Sequence, residues 1–164
     1  MANSVYTGAD GSITLSTPES VEGQSAQAVI DENDLVSIGR ATGVSIEVQS
    51  DVKAFHEIGQ RYASELRPGN IHIQGVIQRA YINGALLKLL LGEAASSRPA
   101  ASWAQPAFNI TVLVDNPALP GTRSSVTLHD VKLDQWTYNM PEDDFVMEGA
   151  SFQALFMTVE DEAA

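Results

Sequence analysis

The chain contains no cysteine, which excludes disulfides, thiol nucleophiles and Cys-ligated zinc. Basic residues are scarce: nine Lys and Arg stand against 21 Asp and Glu, for a formal net charge of −12. Phosphate affinity comes from Lys and Arg, so this balance argues against a sequence-reading nucleic-acid binder. There is no long apolar run. The longest, Ala85 to Leu91, contains Lys88 and is too short to span a bilayer. The first residues, Met1 to Gly8, have neither the basic nor the apolar region of a signal peptide, so assembly in a cytoplasm is expected. What is present fits one globular domain over residues 1–164, with 44% apolar residues in 17.6 kDa.

Residues 1–35 are rich in Gly, Ser, Thr and acids. Ala9-Asp10-Gly11 reads as a turn, Ile13 and Leu15 as a short strand, and Ser16 to Ser25 as a loop or arm. Alternation then predicts a half-buried strand over Val44 to Gln49, with Val44, Ile46 and Val48 on one face. Glu65 to Asn70 reads as a turn around Pro68-Gly69. Beyond it Ile71, Ile73 and Ile77 share one face, opposite His72, Gln74, Val76 and Gln78. Gly75 in mid-run marks a bulge or a close backbone approach.

Asn83 to Gly92 is a predicted helix, capped by Asn83, ended by Gly92 and buried along Leu86, Leu87, Leu90 and Leu91. Such a short helix needs a sheet to pack on. Residues 93–106, with Trp103, read as a surface loop. Phe108 to Val114 alternates as a strand, and Asp115 to Pro120-Gly121 reads as a hairpin loop. On the return strand from Ser125, parity slips between Leu128 and Val131. Either a bulge sits near His129-Asp130 or both faces of the strand are covered. Phe145 to Val159 reads as one long strand, apolar on both sides from Ala154, which needs cover from a second copy or a partner. The alternative is two shorter strands with a kink at Gly149. Residues 160–164 form an acidic tail.

Chemical motifs are few. His56, His72 and His129 have no metal-ligand spacing. Glu142-Asp143-Asp144 reads as a solvated hairpin tip rather than a calcium loop. There is no GxSxG, phosphate loop or GxGxxG, and Asn109-Ile110-Thr111 reads as strand rather than as a glycosylation site. These residues give no reason to propose an enzyme, a cofactor or a metal. Trp136, Tyr138, Phe152 and Phe156 cluster late in the chain and suit an intersubunit contact or a core equally well.

The order of elements carries a resemblance. Ile38-Gly39-Arg40 leads into Val44 to Gln49. Gly59-Gln-Arg-Tyr62, Leu66-Arg-Pro-Gly69 and Ile73-Gln-Gly-Val-Ile-Gln-Arg-Ala-Tyr81 follow, running into a short helix. The chain closes with Val126-Thr-Leu-His-Asp-Val131, Trp136 and Glu148-Gly-Ala-Ser-Phe-Gln-Ala154. Over residues 36–159 this resembles the tail tube proteins of tailed bacteriophages, especially those with contractile tails. It is also similar to the tube proteins of tailocins and other contractile injection systems.

The resemblance implies a mainly β fold: an antiparallel β-sandwich or split barrel flanked by one short α-helix. It further implies homohexameric rings that close a β-barrel channel and stack into the hollow tail tube of a virion. The implied partners are the tail sheath protein and the baseplate and tail-terminator proteins. The tape-measure protein and then DNA would pass through the lumen into the host, without sequence-specific binding. Candidate lumen-facing residues are Glu47, Gln49, Asp51, His72, Gln74 and Gln78, because a wall of acids and neutral polar groups leaves DNA unbound. Candidate intersubunit residues are Trp136, Tyr138, Phe152 and Phe156. Residues 1–35 and 115–124 are candidates for contacts between stacked rings. Rival readings are the inner tube of a tailocin or secretion apparatus that delivers protein, and a small β-barrel enzyme or ligand-binding module.

Overall fold

A computed structural model describes residues 5–119 and 121–162. The expectations that fall on Met1–Ser4, Pro120 and Ala163–Ala164 lie outside the described residues. The fold is mainly β, a curled antiparallel half-barrel with two short helices. Its strands are β1 (Gly11–Ser16), β2 (Ala41–Ser50), β3 (Lys53–Phe55), β4 (Glu65–Arg67), β5 (Ile71–Ala80), β6 (Phe108–Asp115), β7 (Arg123–Asn139), β8 (Met147–Ala154) and β9 (Phe156–Glu162). The helices are α1 (Val21–Asn33) and α2 (Ala85–Leu91).

β7 is 17 residues long and belongs to two sheets. Its first half lies between β6 and β9, with β1 beyond β6. Its second half pairs with β8, and β5 and β2 follow in order. The change of sheet occurs where the parity of the sequence slips. Phe108 pairs with Val131 and Ile110 with Leu128, so His129 and Asp130 form a bulge. Asp130 adopts a left-handed φ of 52°, and its N–H donates to Asn109 Oδ1 at 3.1 Å. A second register shift at Asp134 restores even parity to Trp136 and Tyr138. Bulges of this kind bend a strand and increase its twist.

The core lies between the sheets and the helices. Leu15, Ile77, Phe108, Ile110, Leu128, Leu133 and Phe152 are buried there with Ile30 of α1 and Leu86 and Leu89 of α2. β5 follows the predicted alternation, with Ile73, Gly75, Ile77 and Arg79 buried and His72, Gln74, Val76 and Gln78 exposed. Gly75 marks a close approach and not a bulge, since its pairing with β2 is regular. A Cβ there would lie 2.4 Å from Ser45 O and 2.5 Å from Phe152 Cζ.

Several expectations are corrected. Among the described residues two α-helices flank the sheets, not one. Residues 21–33, within the stretch read as an arm, form α1. Ser20 Oγ caps it by accepting from Gly23 N–H at 3.0 Å, and Asp34 ends it at φ 52°. The buried stripe of α2 is Ala85, Leu86 and Leu89, while Leu87, Leu90 and Leu91 are half-buried. Asn83 Oδ1 accepts from Ala85 N–H at 3.1 Å, with Gly84 as the first non-helical residue. Glu65–Arg67 is strand, so the turn is confined to residues 68–70. The single long strand is two strands, divided at Leu155 and not at Gly149. Residues 160–162 of the expected acidic tail belong to β9.

Candidate functional site: a polar sheet face between two open edges

The sheet β7–β8–β5–β2 has one face in the core and one in solvent. Pairing aligns the solvent face row by row. Glu47 stands beside Gln74 and Gln153, Gln49 beside His72, and Ser45 beside Val76 and Ser151. Gln78 lies between Gly43 and Gly149. Period-two alternation therefore brings Glu47, Gln49, His72, Gln74 and Gln78 together, as the sequence pattern requires. Asp51 follows the end of β2 and joins the group through its carboxylate, 3.0 Å from His72 Nε2.

Cross-strand bonds tie this face together. Gln74 Nε2 donates to Glu47 at 3.5 Å. Ser151 Oγ and Gln153 Nε2 both donate to Asp134. Of the outward residues in β2, β5 and β8, none is Lys or Arg. The carboxylates of Glu47, Asp51 and Asp134 supply its negative charge, and Val76 is its exposed apolar member. Lys132 of β7 stands in register with Gln153 but is paired with Glu22 at 3.0 Å. This arrangement offers hydrogen-bonding groups without a cationic cradle for phosphate.

Both borders of the sheet are open among the described residues. β2 pairs with β5 alone, and the second half of β7 with β8 alone. Neither stretch contains Pro, and β2 contains no Lys. The β7 stretch does carry Lys132, and a register shift interrupts each border, at Ala41/Gly43 and at Leu133/Gln135, so charge and bulges blunt these edges only in part. A loop residue also covers the β7 border: Gln105 Nε2 donates to Leu133 O at 2.6 Å. The other sheet is better guarded. Segment 36–38 covers β1 through Leu15 N–H to Val36 O (2.7 Å) and Ile38 N–H to Ile13 O (3.0 Å). β9 carries Glu160, Asp161 and Glu162.

The four aromatic candidates separate. Phe152 is 0% exposed and belongs to the chain's own core, beneath Gly75, so it presents no surface to a neighbour. Trp136 is half-buried against the core, and its Nε1 donates to Glu148 Oε2 at 2.9 Å. Tyr138 is 40% exposed and stacks on Trp136, with Tyr81 edge-on at 5.0 Å. Phe156 is 48% exposed and stacks on His129 with ring centroids 4.3 Å apart.

Sequence reading missed the buried pair of Arg79 and Glu148. Arg79 also donates to Asn83 Oδ1 at 3.2 Å, and the same oxygen caps α2. One polar chain thus runs from Trp136 through Glu148, Arg79 and Asn83 to the start of α2. Its signal was Arg79 falling on the apolar parity of β5. Among the described residues, no group of three His, Asp or Glu side chains is placed to hold a metal ion.

No family model matches the sequence, and no curated protein matches it. Solved structures match in fold. A chain of the sheath-tube complex of an extracellular contractile injection system (PVC), in its extended state, matches with a TM-score of 0.65 at 10% identity, covering 97% of this chain and 93% of that one. A chain of the tube-terminating cap of the anti-feeding prophage gives 0.64 at 10% identity, covering 98% and 94%. The SPP1 tail tube gives 0.60 at 10% identity, covering 98% and 81%. The fold is therefore one shared with tube proteins of contractile injection systems and phage tails.

Proposed function

We propose that this chain is a tail tube protein whose copies close into a hexameric ring and stack into a hollow tube. The observation that carries this reading is a curved sheet with an open border on each side and a polar solvent face without basic residues in β2, β5 and β8. A head-to-tail contact that closes by rotation makes a ring. Placing β2 of one copy against the β7 border of the next removes both open edges and makes the inner wall continuous.

In that ring Glu47, Gln49, Asp51, His72, Gln74 and Gln78 line the bore. The wall repels or ignores phosphate, so a threaded duplex stays mobile. The work is rigidity and closure, with no reaction. The neighbours in fold come from a sheath-tube complex, a terminator and a baseplate, which supports a sheath outside the tube and terminator and baseplate proteins at its ends. The loop 116–122, apart from Pro120, is proposed to touch the next ring. Tyr138 and Phe156 are proposed intersubunit residues, with Trp136 behind Tyr138. The particle is a virion tail, assembled in the host cytoplasm, that passes first a tape-measure protein and then the genome.

Sedimentation and negative-stain microscopy of the purified chain test the reading. Rings or tubes with an open bore are expected, and a monomer at every concentration would overturn it. Nuclease-protected DNA in particles isolated from the producing cells separates genome delivery from protein delivery.

A further inference from the structure

Residues 52–67, the extension between β2 and β5 that contains β3 and β4, bury almost nothing. Among the described residues β3 pairs only with β4, and every residue from 52 to 67 except Ala63 is exposed. Exposed apolar side chains stand along this arm: Val52, Phe55, Ile58, Leu66, and Tyr62 at 89% exposure. A lone two-stranded hairpin is marginal in water, and an exposed apolar strip of this kind marks a contact surface. The arm also runs against the acidity of the chain, with three cations (Lys53, Arg61, Arg67) and two carboxylates (Glu57, Glu65).

The complement lies on the same molecule but at the opposite border of the sheet. A groove of about 1190 Å³ opens beside the start of the second half of β7. Leu91, Trp103 and Leu155 give it apolar walls; Asp130 and Asp134 give it carboxylates, while its lining cation, Lys132, is paired with Glu22 at 3.0 Å. Leu155 is 73% exposed there.

Strand register decides who can fill it. Gln49 pairs with His72, Ile73 with Ala154, and Gln153 with Lys132. The arm and the groove therefore sit at the same end of the sheet, three strand spacings apart, about 14 Å. β2 runs antiparallel to β7, because both β2 and β8 oppose β5 and β7 opposes β8. When β2 of one copy lies along the β7 border of the next, the end of β2 meets the start of that border. The arm leaving β2 is then delivered to the end of the border where the neighbour's groove opens.

We propose that residues 52–67 of each copy seat in the groove of the next copy, with Phe55, Ile58 and Tyr62 against Trp103, Leu91 and Leu155. This rests on the ring reading above and adds to it a clasp outside the strand ladder.

The absence of native cysteine makes the test clean. Ile58→Cys and Leu155→Cys are made singly and together, assembled, and treated with a short bis-maleimide. Mixed single variants should give linked dimers, and the double variant a ladder ending at the ring size. Intact rings without cross-links would overturn the clasp and leave the ring standing. A double variant that closes on itself as a linked monomer would overturn it too. A chain that sediments as a monomer would overturn both readings. Ile58→Asp should raise the concentration needed for assembly at least about tenfold, with an unchanged unfolding midpoint, because the arm is exposed in the single chain. Assembly at the wild-type concentration would contradict the clasp.

Discussion

Gly75 and Phe152 occupy one space: the ring lies where any side chain on β5 would stand. Gly75→Ala forces either the ring or the β2 backbone to move. Overpacking of this kind costs about 1–3 kcal/mol, so the urea midpoint of the monomer should fall accordingly. A Cβ at Gly43 meets only Gln78 Oε1, at 3.7 Å, so Gly43→Ala should be mild by comparison. The Arg79–Glu148 pair predicts a sharper contrast. Glu148→Ala leaves an uncompensated buried charge and should cost about 3–5 kcal/mol, whereas replacing both residues by Met should recover much of the loss. Chemical denaturation of the two variants measures the difference. Gly75 was legible from sequence because a glycine within an alternating strand has few explanations. The ion pair was not, because its members are 69 residues apart and a charge at an apolar position reads as a flaw until its partner is seen.

Among the elements, β7 shows how far local pattern reaches. The slip of parity at His129-Asp130 was visible in the sequence, and the bulge there carries the strand from one sheet to the other. α1 was not visible, because its buried side is made of Gly23, Ala26 and Ile30 and small residues give a weak apolar stripe. Ser20 before Ala26, Val29 and Ile30 was the signal available, an N-cap followed by helical spacing. The division at Leu155 was hidden because β8 and β9 continue along the same partner. The far end of the β7–β9 pair makes a pH prediction. Arg123 donates to Glu162 Oε1 at 2.8 Å; this hydrogen bond, and then the charge attraction, hold the Glu162 carboxyl below its ordinary range. A carboxyl held low stabilises the fold above its unfolded pKa and loses that contribution as pH falls through the folded one. Backbone NMR should therefore show residues 160–162 loosening first on acidification, while β5 stays protected. The pair is exposed, so Glu162→Gln should leave the global unfolding midpoint nearly unchanged.

At the scale of the whole molecule, single-chain stability and assembly lie in different residues. Phe152→Ala should unfold the monomer, at a cost of about 3–5 kcal/mol. Phe156→Asp should spare folding, because half of that ring is already in solvent, and should impair assembly instead. Denaturation and sedimentation of both variants would separate the two roles. The alternation of β2 and β5 told which polar residues share a face, but the pairing of that face with β8 and the two open borders emerged only with the topology. The most direct test is a cryo-electron reconstruction of the assembled particles. It should resolve six copies joined β2 to β7, with Glu47, Gln74 and Gln153 on the inner wall. A bore lined instead by the other sheet, with Thr127 and Thr158 facing inward, would contradict the account.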